Sequence, residues 1–209
     1  LSFAVVAREA LARGIVDGTA EEAALAVATF DQQGCVSPHV IYVEEGGNTT
    51  PRAFAETLAG AMHRVEAELP RGTLQPAEAA AIQHVRGTAE FRMLGGRDVR
   101  VFASRGTQFT VIWEADPSFN PSCLNRVVWV KPVASIEDVV TLVRPFAPWL
   151  QTVGIAADAE RATALANRLG PLGVSRVASL RDMPWPPPQW HHDGSEPLRE
   201  LVRWMDLEV

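Results

Sequence analysis

The sequence predicts an α/β domain built on a largely parallel sheet flanked by helices. Short runs rich in β-branched and aromatic residues recur at strand length: Ser2 to Val6, His39 to Val43, Val127 to Val130, Leu150 to Ala157 and Val174 to Ala178. Between them lie helical stretches with recognisable starts and stops, and parallel strands need such crossovers. At 209 residues and 47% hydrophobic content, the chain holds enough apolar surface for one real core.

Taken in order, Ser2 to Val6 is an apolar strand, and Arg8 to Arg13 turns into a helix. Thr19-Ala20-Glu21-Glu22 reads as a capping box that starts this helix, which runs through about Gln33 with Gly34 as its left-handed stop. Ser37-Pro38 forces extended backbone into the strand His39 to Val43. Thr50 followed by Pro51 opens a helix with an apolar stripe of Phe54, Leu58, Met62 and Val65, and Leu69 to Gly72 closes it. Pro76 opens another through about Met93, broken by Gly95-Gly96. Val99 to Ala103 and Gln108 to Trp113 pair as strands across Arg105-Gly106-Thr107. A polar loop, Asp116 to Cys123, precedes the strand Val127 to Val130, and Ser135 caps Ile136 to Leu142. Leu150 to Ala157, a helix over Ala159 to Leu169 and Val174 to Ala178 repeat the alternation. Pro184, Pro186, Pro187 and Pro188 make Asp182 to Trp190 an extended strap, because proline fixes φ and removes a donor. Glu196 to Met205 reads as a short amphipathic helix and Leu207 to Val209 as an edge strand.

The formal charge of −6 and the absence of a dense basic block argue against nucleic acid as a main partner. No apolar run is long enough for a membrane span. Two cysteines, Cys35 and Cys123, and no signal-like amino terminus suit a reducing, cytoplasmic setting. The first residue is Leu1, and Leu1 to Val6 reads as the middle of a folded unit, as in a fragment or trimmed chain.

The chemistry centres on Phe30-Asp31-Gln32-Gln33-Gly34-Cys35-Val36-Ser37-Pro38, which holds a thiol on a bend before a strand. A lone cysteine is more often packed than catalytic. This segment, however, resembles the nucleophile region of the aldehyde dehydrogenase superfamily, and most nearly its acyl-CoA reductase branch, the LuxC-like fatty-acid reductases. A second block, Trp190-His191-His192-Asp193-Gly194 through Pro197-Leu198 to Trp204, resembles that branch's carboxy-terminal signature. The resemblance implies an aldehyde-dehydrogenase-like catalytic domain over residues 1–182, with residues 183–209 as a strap, short helix and edge strand. It implies that an amino-terminal cofactor domain is absent from the chain. Cys35 would accept an acyl group from acyl-CoA or an acyl-protein thioester, and hydride from NADPH (or NADH) would release a fatty aldehyde. Thiolates suit such exchange because they are strong nucleophiles. The Cys35 amide is a candidate oxyanion donor. His39, His192 and Asp193 are possible supporting residues, with His39 limited by the strand face it occupies.

Adjacent His191 and His192 do not give a metal-ligand spacing, and no metal is expected. The run Ser122 to Val127 stands about where relatives carry a ribose-binding glutamate, and it has none. Arg86, Arg92, Arg97, Arg100 and Arg105 form a mildly basic region that either meets CoA phosphates or is a solvated face. Two other readings stand beside the reductase: an aldehyde dehydrogenase oxidising aldehydes with NAD(P), and a non-catalytic oligomerisation module. A homo-oligomer through the carboxy-terminal strand is a further expectation.

Overall fold

The computed structural model describes residues 1–196, 198 and 201–209. Its strands are β1 (Ser2–Val6), β2 (Pro38–Glu44), β3 (Val99–Ala103), β4 (Thr110–Glu114), β5 (Val127–Val133), β6 (Thr152–Ala156) and β7 (Arg176–Ala178). They form one sheet in the order β3-β4-β5-β2-β1-β6-β7, in which only the β3–β4 hairpin is antiparallel. The register pairs Phe3 with Val40 and with Val153, and Val40 in turn with Trp129. The helices are α1 (Val16–Ala28), α2 (Pro51–Glu68), α3 (Pro76–Leu94), α4 (Val139–Val143) and α5 (Ala159–Leu169).

Strand alternation divides the core in two, because successive side chains leave a strand on opposite faces. Phe3, Val5, Val40, Tyr42, Trp129 and Ile155 meet α3, α4 and α5 through Ile82, Val139, Val143 and Leu165. Ala4, Val6, Ile41, Val43, Val128 and Val130 meet α1 and α2 through Ala20, Ala24, Val27, Phe54, Leu58 and Met62. The start of α2 is as the sequence requires: Thr50 Oγ1 accepts from the Ala53 N–H at 3.2 Å, and Pro51 occupies the first turn.

The first helix departs from the expected boundaries at both ends. It begins at Val16, with Thr19 already inside it, since the Thr19 hydroxyl donates back to the Ala10 carbonyl at 3.0 Å instead of capping. It ends at Ala28, and the left-handed residues that follow are Phe30, Asp31 and Gln32, with φ of 55°, 52° and 64°, not Gly34. A non-glycine residue in this region costs on the order of 1–2 kcal/mol. Side-chain bonds described below offset that cost.

The carboxy-terminal tail departs as well. Pro197, Arg199 and Glu200 lie outside the described residues. The helix expected over Glu196 to Met205 thus lies partly outside the described residues; among the described ones, the Leu201 N–H donates to the Leu198 carbonyl, residues 202–206 are not helical, and Leu207 to Val209 is not a strand. Leu201, Trp204 and Met205 are all exposed, and a short helix with no surface to pack against is marginal in water.

Candidate active site

Cys35 lies between α1 and β2 and is exposed; neither it nor Cys123 is in a disulfide. Its loop is clamped from beneath by a buried glutamine. Gln32 Nε2 donates to the carbonyls of Pro38 (2.7 Å) and Val127 (2.8 Å), and its Oε1 accepts from the Val127 N–H at 2.9 Å. A second left-handed turn, Leu124 to Arg126, lies alongside. Gln33 Nε2 donates to Asn125 Oδ1 at 3.1 Å, and the buried Arg126 guanidinium pairs with Asp31 and Glu66, each at 2.7 Å. Beyond the loop, Ser2 Oγ donates to the Cys35 carbonyl at 2.6 Å and accepts from the Thr152 N–H, tying Cys35 to the starts of β1 and β6. No described acceptor takes the Cys35 amide N–H.

The strap brings the second sequence block onto the first. Arg176, at the start of β7, donates to the carbonyls of Asp182 and Met183 at 2.7 Å each. The buried Met183 seats against Gly154 of β6, where an added Cβ would stand 2.7 Å from the sulfur and would force that side chain to shift. The Arg176 guanidinium lies 5.8 Å from the Trp190 ring, and that ring meets His192 edge-on at 4.9 Å. His192 Nε2 consequently stands 3.8 Å from Cys35 Sγ, a long sulfur contact. Asp193, at φ 52°, folds back so that Oδ2 lies 3.1 Å from His192 Nδ1, while Oδ1 accepts from Gln151 Nε2 at 2.6 Å. Cys35, His192 and Asp193 thus meet in one place.

His39 does not join them. Its Nδ1 accepts from the Ser122 N–H at 3.1 Å, and burial pushes its pKa down to about 4. It is a neutral acceptor holding the 116–123 loop. Cys123 is half-buried, and burial pushes its thiol up. Arg86 is buried and clamps Thr110 Oγ1 and the carbonyls of Gly106 and Phe109, so it is neither a solvated charge nor open to a phosphate. Arg92 pairs with Glu114. Among the described residues, no group of three or more His, Cys, Asp and Glu side chains gathers where a metal could be held, and no helix is long and apolar enough to cross a membrane.

The glycine turn after β2 does not fit a nicotinamide dinucleotide's phosphates, because it is filled by the chain itself: a Cβ on Gly47 would stand 2.9 Å from the Arg8 carbonyl and from Leu11. Glu44, at the end of that strand, is fully engaged by Arg8 and Arg161 and has no oxygen to spare for a ribose.

Ser2, Gln151 and Arg176 were not singled out by sequence reasoning. Each is a polar residue on or just before the first residue of an apolar strand, and that position was the available signal.

A parallel sheet with a cysteine loop at its edge and a histidine-bearing strap across it defines an aldehyde-dehydrogenase-like catalytic domain. Solved structures agree at the level of fold. An NAD-dependent aldehyde dehydrogenase from Burkholderia multivorans superposes with a TM-score of 0.70 at 16% identity, over 94% of this chain and 39% of that one. Methylmalonate-semialdehyde dehydrogenase from Oceanimonas doudoroffii gives 0.61 at 13%, over 88% of this chain and 40% of that one. A benzaldehyde dehydrogenase from Corynebacterium glutamicum gives 0.64 at 14%, over 86% and 38%. The chain therefore spans about two fifths of the length of those enzymes. No curated protein matches it in sequence. The family model for acyl-CoA reductase (LuxC) matches residues 1–204, and the chain belongs to that family.

Proposed function

We propose that this chain carries the acyl-transfer centre of an acyl-CoA reductase, with Cys35 as acyl acceptor and His192, oriented by Asp193, as the base. The observation that carries the reading is the 3.8 Å approach of His192 Nε2 to an exposed Cys35 Sγ, made by two blocks far apart in sequence. His192 takes the Cys35 proton, the thiolate adds to the thioester carbonyl, and the Cys35 amide N–H faces the developing oxyanion. Collapse expels CoA as thiolate, which recovers the proton from His192. The products are acyl-Cys35 and free CoA thiol, and the step is thermoneutral because one thioester replaces another. Release of an aldehyde needs hydride from NADPH or NADH.

The groove of about 680 Å³ between β7 and the strap reaches His191, next in the chain to His192, and its apolar members Trp185, Pro187 and Trp190, set among polar ones such as Asp182 and Gln189, suit part of the arm of such a thioester. Incubation with a medium-chain acyl-CoA is expected to add one acyl group by intact mass, lost in Cys35→Ala and slowed at least tenfold in His192→Ala. An adduct that persists in Cys35→Ala would sink this assignment.

A further inference from the structure

His192 and Asp193 make a weak unit by themselves. Their side chains are 56% and 62% exposed, and an exposed charge pair on a single turn does not hold one geometry. The fixed point lies in the sheet. Gln151, which immediately precedes β6, is only 6% exposed, and its backbone is pinned on both sides. Its N–H donates to the Leu1 carbonyl at 2.9 Å, and its carbonyl accepts from the N–H groups of Ser175 (2.9 Å) and Arg176 (3.1 Å). Its amide Nε2 reaches Asp193 Oδ1 at 2.6 Å. The other amide atom, Oε1, is buried without a described partner. A buried amide with one end unpaired is a cost to the fold, so packing does not account for a glutamine here. Its bond to Asp193 does.

We propose that Gln151 is a positioning residue of the acyl-transfer centre. A rigid N–H donor in the sheet holds the Asp193 carboxylate aimed at His192 Nδ1. That fixes the imidazole with its proton on Nδ1 and its Nε2 lone pair toward Cys35. The inference rests on Cys35 being the nucleophile, and it extends the reading by naming the residue through which the sheet controls the base. Among the described side chains, the other charged group facing this site is the Arg176 guanidinium against Trp190, and it is not altered in the variants below.

The test is the rate of Cys35 alkylation by iodoacetamide from pH 5 to 9, read beside acylation by a medium-chain acyl-CoA. Gln151→Met keeps the size and apolar contacts of the stem, and Gln151→Glu keeps its shape. Gln151→Met is expected to slow both reactions about tenfold at pH 7. It should have no further effect in a His192→Ala background, because it acts through His192. Gln151→Glu should fall below Gln151→Met at pH 8, where two carboxylates repel. It should rise above it near pH 5, where the protonated glutamate again donates to Asp193. An equal loss in the His192→Ala background, or Met and Glu profiles that run parallel across pH, would overturn the proposal. Alkylation that depends on Gln151 without any acylation would leave the positioning role standing and remove acyl transfer instead.

Discussion

His39 and His192 show how placement divides two histidines near one cysteine. His39 sits in β2, accepts a backbone N–H through Nδ1 and is held neutral by burial, with its pKa near 4 against an ordinary 6.5. Its folded pKa lies below its unfolded one, so the unfolded chain takes up a proton first as pH falls. Stability is present above about pH 6.5 and is lost as pH drops toward 4, by on the order of 2–3 kcal/mol. Urea unfolding at pH 7.5 and pH 5 measures this. His39→Gln should flatten the difference while leaving Cys35 acylation within about twofold; equal pH sensitivity in the variant would remove His39 as the cause. At this scale Cys35, His192 and Asp193 were legible because two short blocks carry them. Gln151 was not, because nothing in Leu-Gln-Thr-Val says which way an amide at a strand start will point.

Between α1 and β2, and again before β5, the chain turns left-handed over three non-glycine residues. Local sequence rules look for glycine at such positions, so helix α1 was expected to run on to Gln33, with Gly34 as its stop. The real stop is tertiary: Gln32 reaches Val127, Gln33 reaches Asn125 and Asp31 reaches Arg126. The two turns hold one another, and between them they fix where Cys35 stands. Arg126, 2% exposed, is the keystone, with two carboxylates that are each about a quarter exposed. Arg126→Met should therefore cost about 2–3 kcal/mol, less than a fully buried pair because the acids it strands can reach water. The same variant should also slow acylation of Cys35, since the loop loses its tie to Glu66. Thermal unfolding together with the acylation rate checks both. A stable variant with an unaltered rate would show that the left-handed turns persist without their ion pairs.

Over the whole molecule, the candidate site and the buried Glu44 ion cluster lie at opposite ends of the parallel strands. Cys35, Ser2, Gln151, Asn125 and Arg176 all stand at or just before the amino ends of parallel strands, away from the carboxyl-end crevice where open α/β sheets commonly bind ligands. The carboxyl edge is occupied instead. Glu44 is fully buried and accepts from Arg8 and Arg161, and Arg161 also pairs with Glu9. Burial would push the Glu44 carboxyl up, but bonds from the two arginines outweigh it and hold it well below the usual carboxylate range. This cluster ties β2 to α5, so its role is stability. The alternation of strands and helices was legible in sequence, because periodicity reports a buried sheet. Which edge carries the site was not, since that depends on the order in which strands assemble. Arg161→Leu leaves Glu44 with one arginine and should cost about 1–3 kcal/mol at pH 7. Because the carboxyl's pKa is depressed in the folded state, that difference from the unaltered protein should shrink as pH falls below about 4, where Glu44 protonates in the variant. Cys35 acylation at pH 7 should stay within twofold, and a large loss of acylation in a folded Arg161→Leu protein would mean that the two edges of the sheet are coupled.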